Sequence, residues 1–113
     1  MSDGIYEVTF YQDSARQADF GTGIVTIKDG SINGGDEGFI YRGRLTYVEA
    51  RVTGRIHVSK WSQALPSVFS GLDDYHLDFT GDFNGGSLDG WGSIIGQPGL
   101  TLFVSAHRVG DAA

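Results

Sequence analysis

Cysteine is absent from this sequence of 113 residues, and proline occurs only twice. Without cysteine the chain can form neither a disulfide nor a thiolate–metal site. Basic residues are also scarce, since eight lysines and arginines stand against 14 acidic residues and give a formal net charge of −6. General binding to a phosphate backbone depends on clustered Lys and Arg. We therefore expect no nucleic-acid partner, whereas an acidic chain can dock to a basic one.

Long apolar runs are missing as well. No run approaches the roughly 20 residues that cross a bilayer, and no charged leader or apolar segment precedes the strand-like residues that follow Gly4. We therefore expect no signal peptide and no membrane association. The expectation is a soluble, cytoplasmic protein with a single domain at residues 1–113, because chains of this length usually form one domain.

Glycine is abundant, with 18 residues, and apolar and polar residues alternate along most of the chain. Alternation with a period of two is typical of half-buried strands. The segments that show it lie at 6–10, 20–28, from 31 onward, 39–48, 50–59, 75–83, 88–95 and 100–108. Turn signals such as Asp29-Gly30 separate them.

These eight short segments predict an all-β fold. An antiparallel up-and-down barrel is favoured because closure removes exposed strand edges, and a two-sheet sandwich is the alternative. One short helical or irregular segment is expected near residues 60–71, where Pro66 would keep any helix short.

Two consecutive predicted strands carry opposite charges at positions of the same parity. If these strands pair antiparallel, their outer faces form a lattice of cross-strand ion pairs. Each pair would contribute only ~0.2–1 kcal/mol. The residues are Arg51, Arg55 and His57 on one strand, and His76, Asp78 and Asp82 on the next.

Neither a catalytic nor a metal-binding constellation can be assembled from the sequence. His57, His76 and His107 lie on three different predicted strands, and none has a second ligand at metal spacing, so we interpret them as lone surface imidazoles. Asp73 and Asp74 are adjacent, and adjacent strand residues point to opposite faces. We expect no catalytic residue, no metal and no cofactor. An enzyme using Asp73, Asp74 or His76 is the last-ranked hypothesis.

Aromatic residues share the inward parity of their strands. An eight-stranded barrel is just wide enough to be filled by side chains or to hold one small ligand. A filled core is the simpler interpretation, and a small apolar ligand inside the barrel is the alternative. The candidates for lining such a cavity are Tyr6, Phe10, Tyr41, Tyr47, Tyr75 and Phe79, with Phe83 of the same parity.

A second set of apolar residues has the opposite parity, so that several strands are apolar on both faces. In a soluble barrel this predicts an outer patch covered by another subunit. The candidates for this dimer face are Ile5, Tyr11, Val25, Ile27, Phe103 and Val109.

Several short motifs occur in a fixed order along the chain. They are Asp3-Gly4-Ile5-Tyr6, Gly21-x-Gly23, Gly34-Gly35-Asp36, Tyr41-x-Gly43, Pro66-Ser67-Val68 and Asp74-Tyr75-x-Leu77. In these motifs the chain resembles the GrlR family of negative regulators of type III secretion gene expression, over residues 3 to 77. The resemblance implies an eight-stranded, lipocalin-like β-barrel that forms a homodimer.

The resemblance also implies a regulatory protein partner. The family's regulatory member represses by binding a transcriptional activator through four alternating acidic residues that follow the Tyr-x-Gly motif. The corresponding residues 46–50 contain one acid, Glu49, which is therefore the candidate for a partner-binding loop. We expect a non-enzymatic, dimeric protein-interaction barrel, although not one that binds the same activator. The alternative is a carrier or sensor of a small apolar ligand.

Overall fold

The fold is a closed barrel of eight antiparallel strands. The computed structural model describes residues 1–12, 19–62, 72–97 and 99–113. The strands are β1 (Gly4–Tyr11), β2 (Asp19–Lys28), β3 (Ser31–Gly35), β4 (Phe39–Val48), β5 (Arg51–Lys60), β6 (Asp74–Asn84), β7 (Ser87–Ile94) and β8 (Thr101–Gly110). Each pairs with its neighbours in sequence, and β8 returns to β1. The predicted barrel is confirmed and the sandwich is wrong.

The segment predicted as helical or irregular falls mostly outside the described residues. Lys60 is the last residue of β5, and positions 63–71 are not among the residues that the structure describes. In the described ranges, no helix has the length and apolar character that a membrane crossing requires.

The core occupies the barrel interior and is built from the inward residue of each alternating pair. Tyr6, Val52 and Ile27 are its largest fully buried side chains, and no charged residue in the described part of the chain is buried with them. Burying each large apolar side chain contributes about 1.5–3 kcal/mol. The inward apolar residues of the alternating pattern, once buried, are thus the main source of stability.

Glycine permits a close approach between β2 and β3. A Cβ atom on Gly34 would lie 2.0 Å from the carbonyl oxygen of Ile24, so no larger residue fits there without moving the backbone. On the other side of β2, Phe10 pairs with Gly21 while Tyr11 pairs with Asp19, which leaves one extra residue in β2. This bulge lies beside Gly21, which has a φ of 130°, and a bulge bends the strand that contains it.

The connections divide the barrel into two unlike ends. At the tight-turn end, two-residue turns at 29–30, 49–50 and 85–86 join the strands, and both chain termini lie there. At the long-loop end, the strands are joined by residues 12–18, 36–38, 61–73 and 95–100.

Candidate functional site

The barrel interior contains one apolar void with a volume of about 50 Å³ among the described residues. Of the candidates, Tyr6, Phe10, Tyr41 and Phe79 border it. Tyr75 borders a second void of about 20 Å³ near the long-loop end, and Phe83 packs against the core from a half-buried position. Sites for small molecules usually have volumes of roughly 300–1,000 Å³. Neither void has the volume of such a site.

Tyr47 lies away from both voids and has a hydroxyl group that is buried without a hydrogen-bond partner in the described ranges. Burial, followed by the negative charge of Asp3, raises its pKa. At the tight-turn end, Tyr6 donates its hydroxyl hydrogen to the carbonyl oxygen of Ser2 at 2.6 Å. Met1 completes the lining of the larger void. The N-terminal residues therefore fill the tight-turn end from inside.

The long-loop end is organised by the side chain of Asp36. Its Oδ1 accepts hydrogen bonds from the backbone N–H groups of Gly38 and Phe39, both at 2.8 Å. Its Oδ2 accepts the hydroxyl of Tyr41. The indole Nε1 of Trp61 donates to the Asp36 carbonyl oxygen at 3.1 Å. One residue thus joins the β3–β4 turn, the barrel interior and the chain after β5.

Two tyrosines beside Asp36 are held in the neutral form. Burial raises the pKa of Tyr41 far above its ordinary value, and the hydrogen bond to Asp36 adds to this effect. Burial, followed by the charge of Asp36, raises the pKa of Tyr75 to about 12. Neither phenol can act as a base near neutral pH, so this arrangement favours structure over catalysis. The sequence indicated only a turn here, although Asp two residues before Gly is also the pattern of an Asx turn.

The predicted ion-pair lattice on the outer wall is confirmed. Arg51 Nε lies 2.9 Å from Asp82 Oδ1, and Arg55 Nε lies 3.4 Å from Asp78 Oδ1. All four side chains are more than half exposed, so each pair stabilises the fold by less than about 1 kcal/mol.

The interpretation of the histidines as lone imidazoles is wrong. The β5–β6 register places His57 directly opposite His76, and their rings stack at a centroid distance of 4.5 Å. His57 Nε2 also lies 2.7 Å from Asp74 Oδ1, and His107 Nε2 lies 3.7 Å from Glu7 Oε1. Within the described ranges, no group of three His, Asp or Glu residues could hold a metal ion.

Two of the dimer-face candidates lie inside the barrel. Val25 is only 3% exposed and Ile27 only 1%. Val25 pairs with Tyr6 and Ile27 pairs with Ile32, and both of those partners belong to the core. Their assignment to the outer face is wrong because β2 is apolar on both faces. In such a strand the register, rather than the alternation, decides which residues point inward.

The other candidates include part of an aromatic outer row. Phe103 on β8 pairs with Trp91 on β7 and with Tyr11 on β1. Trp91 is 42% exposed, whereas Phe103 and Tyr11 are half-buried. Ile5 is half-buried near the other end of β1, and Val109 is exposed on β8. We call Trp91, Phe103 and Tyr11 the aromatic face.

Most of the residues around the aromatic face are uncharged. Of the five outward positions next to it on the three strands, four carry hydroxyl groups, at Thr9, Ser93, Thr101 and Ser105. The fifth is Asp89, which lies two residues before Trp91 on β7 and opposite Ser105. Sequence reasoning missed Trp91, because residues 88–95 were predicted only as a strand, and Trp91 was assigned to neither of its faces. The available signal was its position three residues after the inward Leu88, because strand residues an odd number apart point to opposite faces.

Glu49 is an exposed residue in the two-residue turn between β4 and β5. Its φ of 55° lies in the left-handed region, which residues other than glycine, asparagine and aspartate rarely adopt. Its side chain is exposed at the tight-turn end of the barrel.

Comparison with known proteins gives one result for the whole barrel. The family model for GrlR, described as a T3SS negative regulator, matches residues 1–112. No curated protein matches the chain.

Proposed function

The chain belongs to the GrlR family of type III secretion negative regulators, and from that premise we propose that it is a non-enzymatic regulator that binds protein on the outer wall of its barrel. The observation that carries this proposal is the interior void of only about 50 Å³. With so little space inside, the surface available to a partner is outside. We place this activity in the cytoplasm, where the gene regulation implied by the family takes place.

A carrier of small apolar molecules is the weaker alternative. Its support is the apolar lining of the larger void, which includes Tyr6 and Phe79. A ligand of ordinary size would require several times the present volume. Because Tyr6 and Phe79 are closely packed in the core, enlarging the void would break contacts that stabilise the barrel.

We propose further that two copies associate through the aromatic face. In a two-fold symmetric interface the same patch meets itself, so a patch whose charges all have one sign would repel its copy. On a chain with a net charge of −6, a patch with little charge is therefore the surface best suited to self-association. The row formed by Trp91, Phe103 and Tyr11 carries no charge, and its neighbours are hydroxyl-bearing residues with Asp89 at the edge. Aromatic residues are also enriched in the centres of protein interfaces.

Glu49 is proposed as a contact for the regulated partner. Its exposed position in a tight turn leaves the carboxylate free to approach another protein. Glu49 is in the turn between β4 and β5, whereas the aromatic face is on β7, β8 and β1. A dimer formed through that face therefore leaves Glu49 accessible.

The test of the regulatory role is a transcriptional reporter for type III secretion genes, measured with and without expression of this chain. We expect lower reporter activity when the chain is present. Unchanged activity at a verified level of folded protein would contradict the regulatory role.

The test of the dimer uses sedimentation of Trp91→Thr/Phe103→Thr, with Ile24→Thr/Ile40→Thr as the matched control. The control also replaces two exposed apolar strand residues, but on β2 and β4. Threonine suits exposed strands, so both variants should fold. We expect a monomer for the first variant and a dimer for the control. A dimer that survives in both would exclude the aromatic face as the interface.

A further inference from the structure

Two arginines stand side by side on the outer face of β4. Arg42 and Arg44 occupy alternate positions of the strand and are both exposed. In the β4–β5 pairing, Arg42 is opposite His57 and Arg44 is opposite Arg55. We call Arg42, Arg44 and Arg55 the arginine face. It is a basic patch on a chain whose net charge is −6.

The arginines of β4 and β5 differ in their partners. Arg51 and Arg55 contact carboxylates of β6. Arg42 forms no ion pair with any residue in the described ranges, and the guanidinium of Arg44 contacts the carbonyl oxygen of Asp29 at 3.3 Å. The β4 arginines therefore keep guanidinium donors that no carboxylate of the described barrel takes up.

This arrangement has a cost in the isolated protein. Like charges directly opposite each other on neighbouring strands destabilise a sheet, and Arg44 is directly opposite Arg55. An anion placed between the two strands would remove this repulsion. A carboxylate is well suited to this position, because the planar fork of a guanidinium group can donate two parallel hydrogen bonds to it.

We propose that the arginine face binds an acidic, extended segment of a partner protein. Residues two apart on a strand are separated by about 7 Å and point to the same side. Glutamates at alternate positions of an extended peptide have the same spacing as Arg42 and Arg44, so two carboxylates can meet two guanidinium groups in register. This inference rests on the protein-binding function proposed above and adds the chemistry of the partner.

Two other occupants fit the patch less well. A second copy of the chain would have to bring acidic residues at alternate strand positions, and the β6 aspartates Asp78 and Asp82 already contact Arg55 and Arg51. A nucleic acid would extend along its phosphate backbone beyond the patch and meet the same aspartates.

The experiment measures binding of a fluorescein-labelled peptide with glutamate at every second position and threonine or valine between, by fluorescence anisotropy at low salt. The test variant is Arg42→Gln/Arg44→Gln. The control is Lys28→Gln/Arg108→Gln, which removes the same amount of charge from exposed positions outside the patch. We expect the wild-type chain to bind the peptide saturably and more weakly as salt is added. The test variant should lose affinity roughly tenfold or more. The control should lose affinity less than about threefold. Circular dichroism checks that both variants fold.

Four outcomes would overturn the proposal. They are no binding of the peptide by the wild-type chain, an equal loss in the two variants, stronger binding to a labelled oligonucleotide of equal charge, and self-association that the Arg42→Gln/Arg44→Gln change abolishes. The reporter assay keeps the proposed function separate. If repression persists when the peptide does not bind, the regulatory role stands and only the acidic partner is lost.

Discussion

The two ends of the barrel each contain an aspartate next to a glycine in a hairpin, yet the two aspartates have different structural roles. At the tight-turn end, Asp29 itself adopts a left-handed φ of 52° and makes room for the turn with Gly30. At the long-loop end, the Asp36 carboxylate accepts hydrogen bonds from Gly38, Phe39 and Tyr41. The first turn depends on backbone conformation, and the second depends on a side chain.

This difference shows where the stability of each turn resides. The Asp29-Gly30 turn makes its contacts through the backbone. The N–H of Asp29 donates to Asp3 Oδ1 at 3.0 Å, and the carbonyl oxygen of Asp29 accepts from Arg44, so a change of the Asp29 side chain leaves these contacts in place. The Asp36 turn is coupled to the core through Tyr41, and to the chain beyond β5 through Trp61. A change at Asp36 is therefore felt in the barrel interior, whereas a change at Asp29 stays in its own turn.

The largest expected effect on stability comes from removing the Asp36 carboxylate, and removal of the Asp29 carboxylate is the comparison. Asp36→Ala leaves two backbone N–H groups and the buried Tyr41 hydroxyl without their acceptor, and should lower the free energy of unfolding by about 2–4 kcal/mol. Asp29→Ala loses only the tolerance of aspartate for a left-handed backbone, and should cost about 0.5–1 kcal/mol. Urea unfolding of both variants measures the difference. Equal losses would mean that the two turns are not stabilised in different ways.

Alkaline pH provides a second way to perturb the long-loop end. The pKa of Tyr75 is raised from 10.0 to about 12 in the folded protein. Its contribution to stability is therefore complete below pH 10, the pKa of the unfolded state, and is lost as the pH rises from 10 to 12. This loss should reach roughly 2–3 kcal/mol.

Tyr75→Phe is the matched control for this pH dependence, since it removes the ionisable group and keeps the ring. The difference in unfolding free energy between wild type and variant should be constant below pH 10 and should shift in favour of the variant between pH 10 and 12. A difference that stays the same up to pH 12 would show that Tyr75 does not titrate as described.

Removing single hydroxyl groups compares the ends on a smaller scale. Tyr41→Phe deletes the donor to the Asp36 carboxylate, and we expect a loss of about 1–2 kcal/mol. Tyr6→Phe deletes a donor to the carbonyl oxygen of Ser2, next to the N-terminus, and should cost about 0.5–1 kcal/mol. Thermal or urea unfolding ranks them, and the reverse order would place the stronger network at the tight-turn end.

The smallest expected effect is a gain at the tight-turn end. Glu49→Gly relieves a positive φ of 55° and should stabilise the barrel by about 0.5–1 kcal/mol. Ala50→Gly, in the same turn but without a positive φ, should instead be neutral or slightly destabilising. If neither substitution stabilises the protein, the left-handed residue at position 49 is not a source of strain.

The sequence predicted the parts of the fold that depend on local patterns. Alternation located the strands, and Asp29-Gly30 located a hairpin. The ion pairs of Arg51 and Arg55 followed from parity and the assumption that adjacent strands pair antiparallel.

Features that depend on register were not predicted. Val25 and Ile27 were assigned to the wrong face, because β2 alternates in neither sense and only its pairing with Tyr6 and Ile32 orients it. The stacking of His57 on His76 also requires the register. The role of Asp36 could not be foreseen for a similar reason, since its contacts with Tyr41 and Trp61 arise when three separate parts of the chain meet at one end of the barrel.

Native mass spectrometry of the chain, purified gently from its own cells, tests the central claim most directly, because it reports oligomeric state and bound small molecules together. A barrel that is filled inside and binds protein outside should appear as a dimer, at twice 12.2 kDa, with no added mass. A monomer carrying a reproducible increment of a few hundred daltons, about the size of a small ligand, would contradict this account and establish the carrier instead.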